Sequence, residues 1–193
     1  MDQLHAHIEK TIGEPFPLSS YERFIERTGR LSVKAKSHVI QEGQFVRYIY
    51  FIEKGLLYTN IVNQLGERQV VQFSFENYWT SDLSCYLSGE PAQYNLEALE
   101  DTEMILLSRD DFEWASRNVP LIGRYFRMLI QNAYIASQFR INRSFTLDAE
   151  ARYLKLIDSH PDILYRVPQY LIASYLGIKP QSLSRIRKKL IGN

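Results

Sequence analysis

The sequence predicts an α+β fold: a β jelly roll, sandwich or barrel near the N-terminus, one long helix, and a helical C-terminal piece. Three observations lead there. Between about Gly29 and Ser108, short segments rich in Val, Ile, Tyr and Phe alternate with turn residues. From Pro120 the apolar residues recur at spacings of four and three. The last fifty residues end in a helix, a turn containing glycine and a basic helix.

The elements follow in order. Residues 2–12 and 18–28 read as short helices, with Ser19 or Ser20 as an N-cap and Glu22 early in the turn. The segments "SHVIQEG", "RYIYFIEKG", "LLYTNIVN", "ERQVVQFS" and "NLEALEDTEMILLS" read as strands. Gly43, Gly55, "NQLGE" and "SGEP" separate them. "SRDDFEWASRN" reads as a short helix capped by Ser108. Pro120 suits the first turn of a long helix, "PLIGRYFRMLIQNAYIASQFRINR". On it Ile122, Phe126, Leu129, Ala133 and Ala136 form a coiled-coil seam, and Leu121, Tyr125, Met128, Ile135 and Phe139 form a second stripe beside it. Two stripes suggest two neighbours, the helix's own β domain and the same helix of a second copy. "LDAEARYLKLIDSH" is a helix closed by Pro161. "PQYLIASYLG" follows, with Pro168 near its start and Gly177 as its stop. The domains are therefore expected at 1–118, 119–143 and 144–193.

Composition narrows the function. The chain has 193 residues, 45% hydrophobic and 23% charged, as in globular proteins with a buried core. No apolar run approaches the roughly 18 residues of a membrane span, and "MDQLHAHIEK" lacks the layout of a secretory signal. A cytoplasmic protein with no membrane partner is expected. The single Cys85 excludes an internal disulfide and a Cys-rich metal or iron–sulfur site, and among apolar neighbours it reads as a packed, inert thiol. His5 and His7, two apart on a helix, point in different directions, so no metal or haem site is expected. No nucleophile–base pair and no second acid near Asp82 suggests an enzyme.

Charge points to nucleic acid. The net charge is only +1, but Lys179 to Lys189 holds five cations and no acid. In "LIASYLGIKPQSLSRIRKKL", Ala173 is small where two helices approach closely, and Gly177 permits a positive φ. Ile178 and Leu183 would face the core, and Pro180 suits the first turn of the second helix. Gln181, Ser182 and Arg185 would point outward, and Lys179, Arg187, Lys188 and Lys189 lie within reach of phosphates. Polar groups for base edges beside cations for the backbone are what double-stranded DNA requires.

These residues together resemble the catabolite-activator (Crp/Fnr) family of bacterial transcription regulators, over nearly the whole chain. "VIQEGQFVRYIYFIEKGLLYTNI" is similar to the family's opening strands, the long helix to its dimerisation helix, and "LIASYLGIKPQSLSRIRKKL" to its helix-turn-helix. The resemblance implies a cyclic-nucleotide-binding jelly roll, a homodimer, a DNA partner and a hinge near Asn142 to Thr146. It also leaves a place for RNA polymerase as a partner. With only "IGN" following Leu190, the family's β-hairpin wing after the second helix is expected to be little or absent. The link "SHPDILYRVP" is short as well, so the hairpin often found there is expected to be reduced, with Arg166 as a cation at the edge.

The resemblance also locates the ligand cassette, in "WTSDLSCYLSGEPAQYN". In the family a Gly-Glu-Leu triplet is followed, ten residues after the Glu, by Arg and then Ser or Thr, which hold the ribose and the cyclic phosphate. Ser81, Asp82 and Leu83 fall on the triplet here, and Ala92 and Gln93 on the Arg and its neighbour. From Gln69 to Ser108 there is no Lys or Arg and there are seven acids. A buried phosphate without a cation suffers a desolvation penalty of several kcal/mol. Binding of cyclic AMP is therefore expected to be weak or absent, and no cofactor follows with certainty. Three occupants stay open: an uncharged or cationic small molecule on Asp82 and Gln93, the chain's own Tyr86 and Tyr94, or a cyclic nucleotide in a changed pose. Ser137 and Gln138 fall where the family contacts the base. The reading is a dimeric DNA-binding regulator with a degenerate cassette. Its alternative is a cyclic-nucleotide or other small-ligand binding module without effective DNA binding.

Overall fold

The computed structural model describes residues 2–63 and 66–191. They group into two compact units, Met1–Thr59 with Phe73–Ile135, and Asn60–Gln72 with Ala136–Asn193. The division falls inside the long helix, between Ile135 and Ala136.

The first unit opens with α1 (Gln3–Ile12) and α2 (Leu18–Ile25). Asp2 caps α1 through Leu4 N–H at 2.9 Å, and Gly13 closes it at φ +75°. The N-cap of α2 is Pro17 rather than Ser19 or Ser20, and no side chain caps that end. Among the described residues eight strands follow, β1 (Gly29–Val33), β2 (His38–Ile40), β3 (Tyr48–Lys54), β4 (Leu57–Val62), β5 (Arg68–Ser74), β6 (Trp79–Thr80), β7 (Asn95–Ala98) and β8 (Thr102–Ser108), of which β4 from Asn60 and β5 up to Gln72 are grouped with the second unit. They form two four-stranded sheets, β1-β8-β3-β6 and β2-β7-β4-β5. The expected strands are all present, "NLEALEDTEMILLS" divides into β7 and β8, and β1 and β6 are additions.

The first sheet is apolar on both faces, which explains why "YIYFI" and "MILL" show no polar alternation. Tyr50, Ile52 and Met104 face the second sheet, in a cluster with Ile40, Leu57, Leu96 and Ala98. Ile49, Phe51, Ile105 and Leu107 face the other way, in a cluster with Leu4, Ile8 and Phe24 of the N-terminal helices. Gly55 makes the β3–β4 turn at φ +100°, where a Cβ would stand 2.5 Å from Thr102 Oγ1.

A helix absent from the sequence reading, α3 (Leu83–Ser88), follows β6. The helix α4 (Arg109–Asn118) is capped by Ser108, whose Oγ accepts Asp111 N–H at 3.2 Å. The long helix α5 (Ile122–Thr146) starts after Leu121, which takes φ +68°, so Pro120 precedes the helix instead of opening it. The stripes on α5 divide lengthwise. Ile122, Tyr125 and Phe126 are buried in the first unit's own core, with Leu129 packed against it. Ile122 and Phe126 thus belong to the chain's interior rather than to a seam between copies. Ala133 and Ala136 are exposed, as are Ile130, Tyr134, Ile135, Phe139, Ile141 and Phe145.

In the second unit α5 runs unbroken through Asn142–Thr146, the expected hinge. Ser144 and Thr146 hydroxyls donate back to the Ile141 and Asn142 carbonyls there. The chain turns instead at Leu147 and Asp148, and Asp148 caps α6 (Ala149–Ser159) through Ala151 N–H at 2.8 Å. The short link holds a helical turn, α7 (Ile163–Arg166), in place of a hairpin. Next come α8 (Gln169–Tyr175) and α9 (Pro180–Ile191). Gly177 takes φ +66° between them. Ala173, Leu176 and Leu183 are buried where they pack. The expectation about a wing falls on Gly192 and Asn193, which lie outside the described residues.

Candidate functional site

The cassette belongs wholly to the first unit. Asp82 lies two residues after β6 and caps α3, and Gly89 closes that helix at φ +80°. The Asp82 carboxylate is only 4% exposed. One oxygen, Oδ1, accepts Ser84 Oγ–H at 2.9 Å and Cys85 N–H at 3.3 Å. The other, Oδ2, accepts Gln93 N–H at 2.8 Å. Burial pushes this carboxyl's pKa up, but the hydrogen bonds from Gln93, Ser84 and Cys85 outweigh it and hold the pKa below its usual value. No cation takes part. Asp82 is thus an internal anion that joins the start of α3 to Gln93, eleven residues on.

Ala92, at the position of the expected Arg, is buried and pairs with the 43–45 segment. Gly43 N–H donates to the Ala92 carbonyl at 2.8 Å, and Ala92 N–H donates to the Gln44 carbonyl at 2.8 Å. Ser81 Oγ–H donates to the Tyr48 carbonyl at 2.9 Å. Leu83 lies on α3 and is 37% exposed. Cys85 is a buried thiol that donates to the Pro91 carbonyl at 3.1 Å, and burial pushes its pKa up. It is held as a packing residue.

Tyr86 does not fill the space between the sheets. It is buried on the helical side, in the cluster of Leu4, Phe24 and Phe126. Tyr94 is half-buried. The space itself contains a cavity of about 450 Å³, lined by Ile40, Gln44, Phe45, Arg47, Tyr48 and Tyr50 among others. Among the described residues Arg47 is the only charged one in that lining, and it stands outside the cation-free stretch that begins at Gln69. Sequence reasoning missed it because it precedes the cassette by more than thirty residues. Only the pairing of the 43–45 segment with Pro91 and Ala92 places it near.

Behind β6 a second network ties the first unit together. Trp79 Nε1–H donates to Tyr125 Oη at 2.8 Å. His7 Nδ1 lies 2.8 Å from the same oxygen. The phenol oxygen can accept from Trp79 and still either donate to or accept from His7, so the imidazole tautomer sets the direction of that second bond. Burial, with the Lys10 charge second, lowers the His7 pKa.

The second unit carries the other sequence candidates. Ser137 and Gln138 lie on α5 within it. On α9 and just before it, Lys179, Gln181, Arg185 and Lys188 are exposed, while Ser182 and Arg187 are half-buried. Arg185 Nη2–H donates to Ser182 Oγ at 3.3 Å. Lys189 is engaged within the chain: its ammonium donates to both Glu150 oxygens, at 2.8 and 3.0 Å, and this bond raises its pKa. Arg166 is held by Asp162 at 2.8 Å. No helix is long and apolar enough to cross a membrane, and no cluster of three metal-ligating side chains occurs, both among the described residues.

Comparison with known proteins fits this geometry. The family model of the cyclic nucleotide-binding domain matches residues 30–118. No curated protein matches the sequence. Among solved structures, the chain is similar to the c-di-GMP-responsive global regulator CLP of Xanthomonas campestris, with TM-score 0.70, 14% identity, and coverage of 91% of this chain and 92% of that one. It is also similar to FixK2 from Bradyrhizobium japonicum, with TM-score 0.70, 18% identity, and coverage of 86% and 85%. The catabolite activator protein of Thermus thermophilus aligns with TM-score 0.58, 15% identity, and coverage of 91% and 84%. At these identities the likeness is one of fold. The shared fold is a jelly-roll-type domain, where the cyclic nucleotide-binding model matches, followed by a helical part.

Proposed function

We propose that this chain is a dimeric, cytoplasmic, sequence-specific DNA-binding regulator of the Crp/Fnr type, without catalytic activity, in which Asp82 takes the place of a ligand's phosphate. The observation that carries the DNA reading is the second unit's α8–Gly177–α9 arrangement, whose final helix exposes Gln181, Arg185 and Lys188 and contains no acid. As a helix-turn-helix, α9 would enter the major groove, with Lys179, Arg187 and Lys188 on phosphates and Gln181, Ser182 and Arg185 toward base edges. Lys189 contributes less, because its charge is already matched by Glu150.

Dimerisation is supported by the exposed half of α5. Tyr134, Ile135, Phe139, Ile141 and Phe145 are each at least half exposed on one chain. Such a run on one helix is what a second copy would bury. Weak binding of cyclic AMP is supported by the cassette. Gln93 N–H, a donor at the expected phosphate position, is already bonded to Asp82. An incoming phosphate would have to displace a buried carboxylate and would meet like charge.

The test is duplex binding across a salt series. A DNA reader loses affinity steeply with salt, and Arg187→Ala and Lys188→Ala each lower the log–log slope by about 1, while Arg185→Ala relaxes sequence preference. The competing reading, a small-ligand module without DNA binding, draws on the internal pairing of Lys189. It requires binding that is weak and indifferent to these substitutions.

A further inference from the structure

We propose that the jelly-roll cavity binds a small ring-bearing carboxylate, with Arg47 as its counter-ion. This rests on the sensor half of the reading above, not on its DNA half. The cavity measures about 450 Å³, within the range of sites for small organic ligands. Its lining contains the rings of Phe45, Tyr48 and Tyr50 and no acid. Phe45 is 69% exposed, an unusual state for a phenylalanine at a cavity wall. Tyr50 is buried, and burial beside Tyr48 pushes its pKa up to about 12, so its phenol stays neutral and able to donate. Among the described residues Arg47 brings the only charge to the lining and has no ion-pair or hydrogen-bond partner. An unmatched guanidinium beside three rings selects a planar anion.

Carboxylate is favoured over cyclic phosphate by what the cassette has left. The Gln93 and Cys85 amides are taken by Asp82. One guanidinium fork remains, and it matches the two oxygens of a carboxylate. The wall that carries Arg47 is itself joined to the cassette, through Ala92 N–H to the Gln44 carbonyl and Ser81 Oγ–H to the Tyr48 carbonyl. Occupancy would therefore be felt at α3.

The test is titration of the full chain, by calorimetry and by intrinsic fluorescence. The probes are 4-hydroxybenzoate, indole-3-acetate and 1-naphthoate, each with its neutral carboxamide, and cyclic AMP. At least one carboxylate should bind more tightly than about 1 mM, and about tenfold or more tighter than its carboxamide. Arg47→Gln, at an exposed position, should reduce the carboxylate to the level of the carboxamide and leave the carboxamide unchanged. Arg187→Ala on α9 should alter neither. The proposal is overturned if no carboxylate binds below about 1 mM, if charge or Arg47→Gln makes no difference, or if cyclic AMP binds more tightly than every carboxylate. Sequence selection on DNA by the unaltered chain, set beside its carboxylate titration, separates the two halves. A selected site with no carboxylate binding sinks only the cavity proposal. Carboxylate binding with no selected site sinks the DNA reading.

Discussion

Replacing Asp82 by asparagine tests the closed cassette without removing its helix cap. Asparagine caps a helix about as well as aspartate, so its side-chain oxygen can keep the bond from Cys85 N–H. Its amide nitrogen then stands where Oδ2 accepts Gln93 N–H at 2.8 Å, and two donors face each other. The Gln93 N–H is part-buried, and facing a second donor in place of its acceptor costs about 1–3 kcal/mol. At about 2 kcal/mol, the open fraction at Gln93 rises roughly thirtyfold. Asp82→Ala loses the cap as well, about 1 kcal/mol more. Amide hydrogen exchange on the full chain reads this directly: Gln93 should exchange about thirtyfold faster in Asp82→Asn, while Cys85 changes only in Asp82→Ala. The pH dependence has a fixed sign. Because the carboxyl's folded pKa is depressed, its contribution is complete above the unfolded value near about 4 and is lost as pH falls through the folded value. Unchanged or stronger protection of Gln93 in Asp82→Asn would refute the reasoning. It would mean that burial, not the clasp, dominates at this carboxylate.

Other expectations concern the frame around the cassette. Gly55→Ala should destabilise the first unit by about 2 kcal/mol or more in urea unfolding, because an L residue at φ +100° is strained and its Cβ would sit 2.8 Å from the Asp101 carbonyl. His7 should make the chain acid-labile. Its folded pKa is lowered, so the unfolded state binds the proton first, and the melting temperature should fall as pH drops below about 6.5. His7→Gln should flatten that slope. Phe139→Glu, at a position 55% exposed on one chain, should leave the fold intact but shift sedimentation toward monomer. It should also weaken binding to a two-half-site duplex through lost avidity.

Much of this architecture can be read from residue types, and the misreadings have physical causes. The strand "RYIYFI" announces itself by its rings and β-branched residues, yet its two-sided burial hides which ring faces the cavity. The helix α3 is only six residues long, too short for periodicity to register. Its capping signals, Asp82 before it and Gly89 after it, are present in "SDLSCYLSG" but compete with a strand reading. The absence of a cation in the cassette is plain in the sequence. That the carboxylate itself takes the amide is a matter of tertiary geometry, since its partner lies across a turn. The stripes on α5 were visible as apolar spacing, but spacing does not say which half a β domain covers. Arg47 enters the lining only through strand pairing. On α9 the cations were legible one by one, whereas the withdrawal of Lys189 depends on Glu150, thirty-nine residues away.

The most direct test of the central claim is selection of bound sequences from random duplex DNA by the purified full chain, with no small molecule added. A regulator whose cassette is closed by Asp82 should enrich a two-fold symmetric site with half-sites about one helical turn apart. The same selection with Arg185→Ala should yield a degenerate motif. Enrichment of no motif by the unaltered chain, or the same motif after Arg185→Ala, would contradict the account.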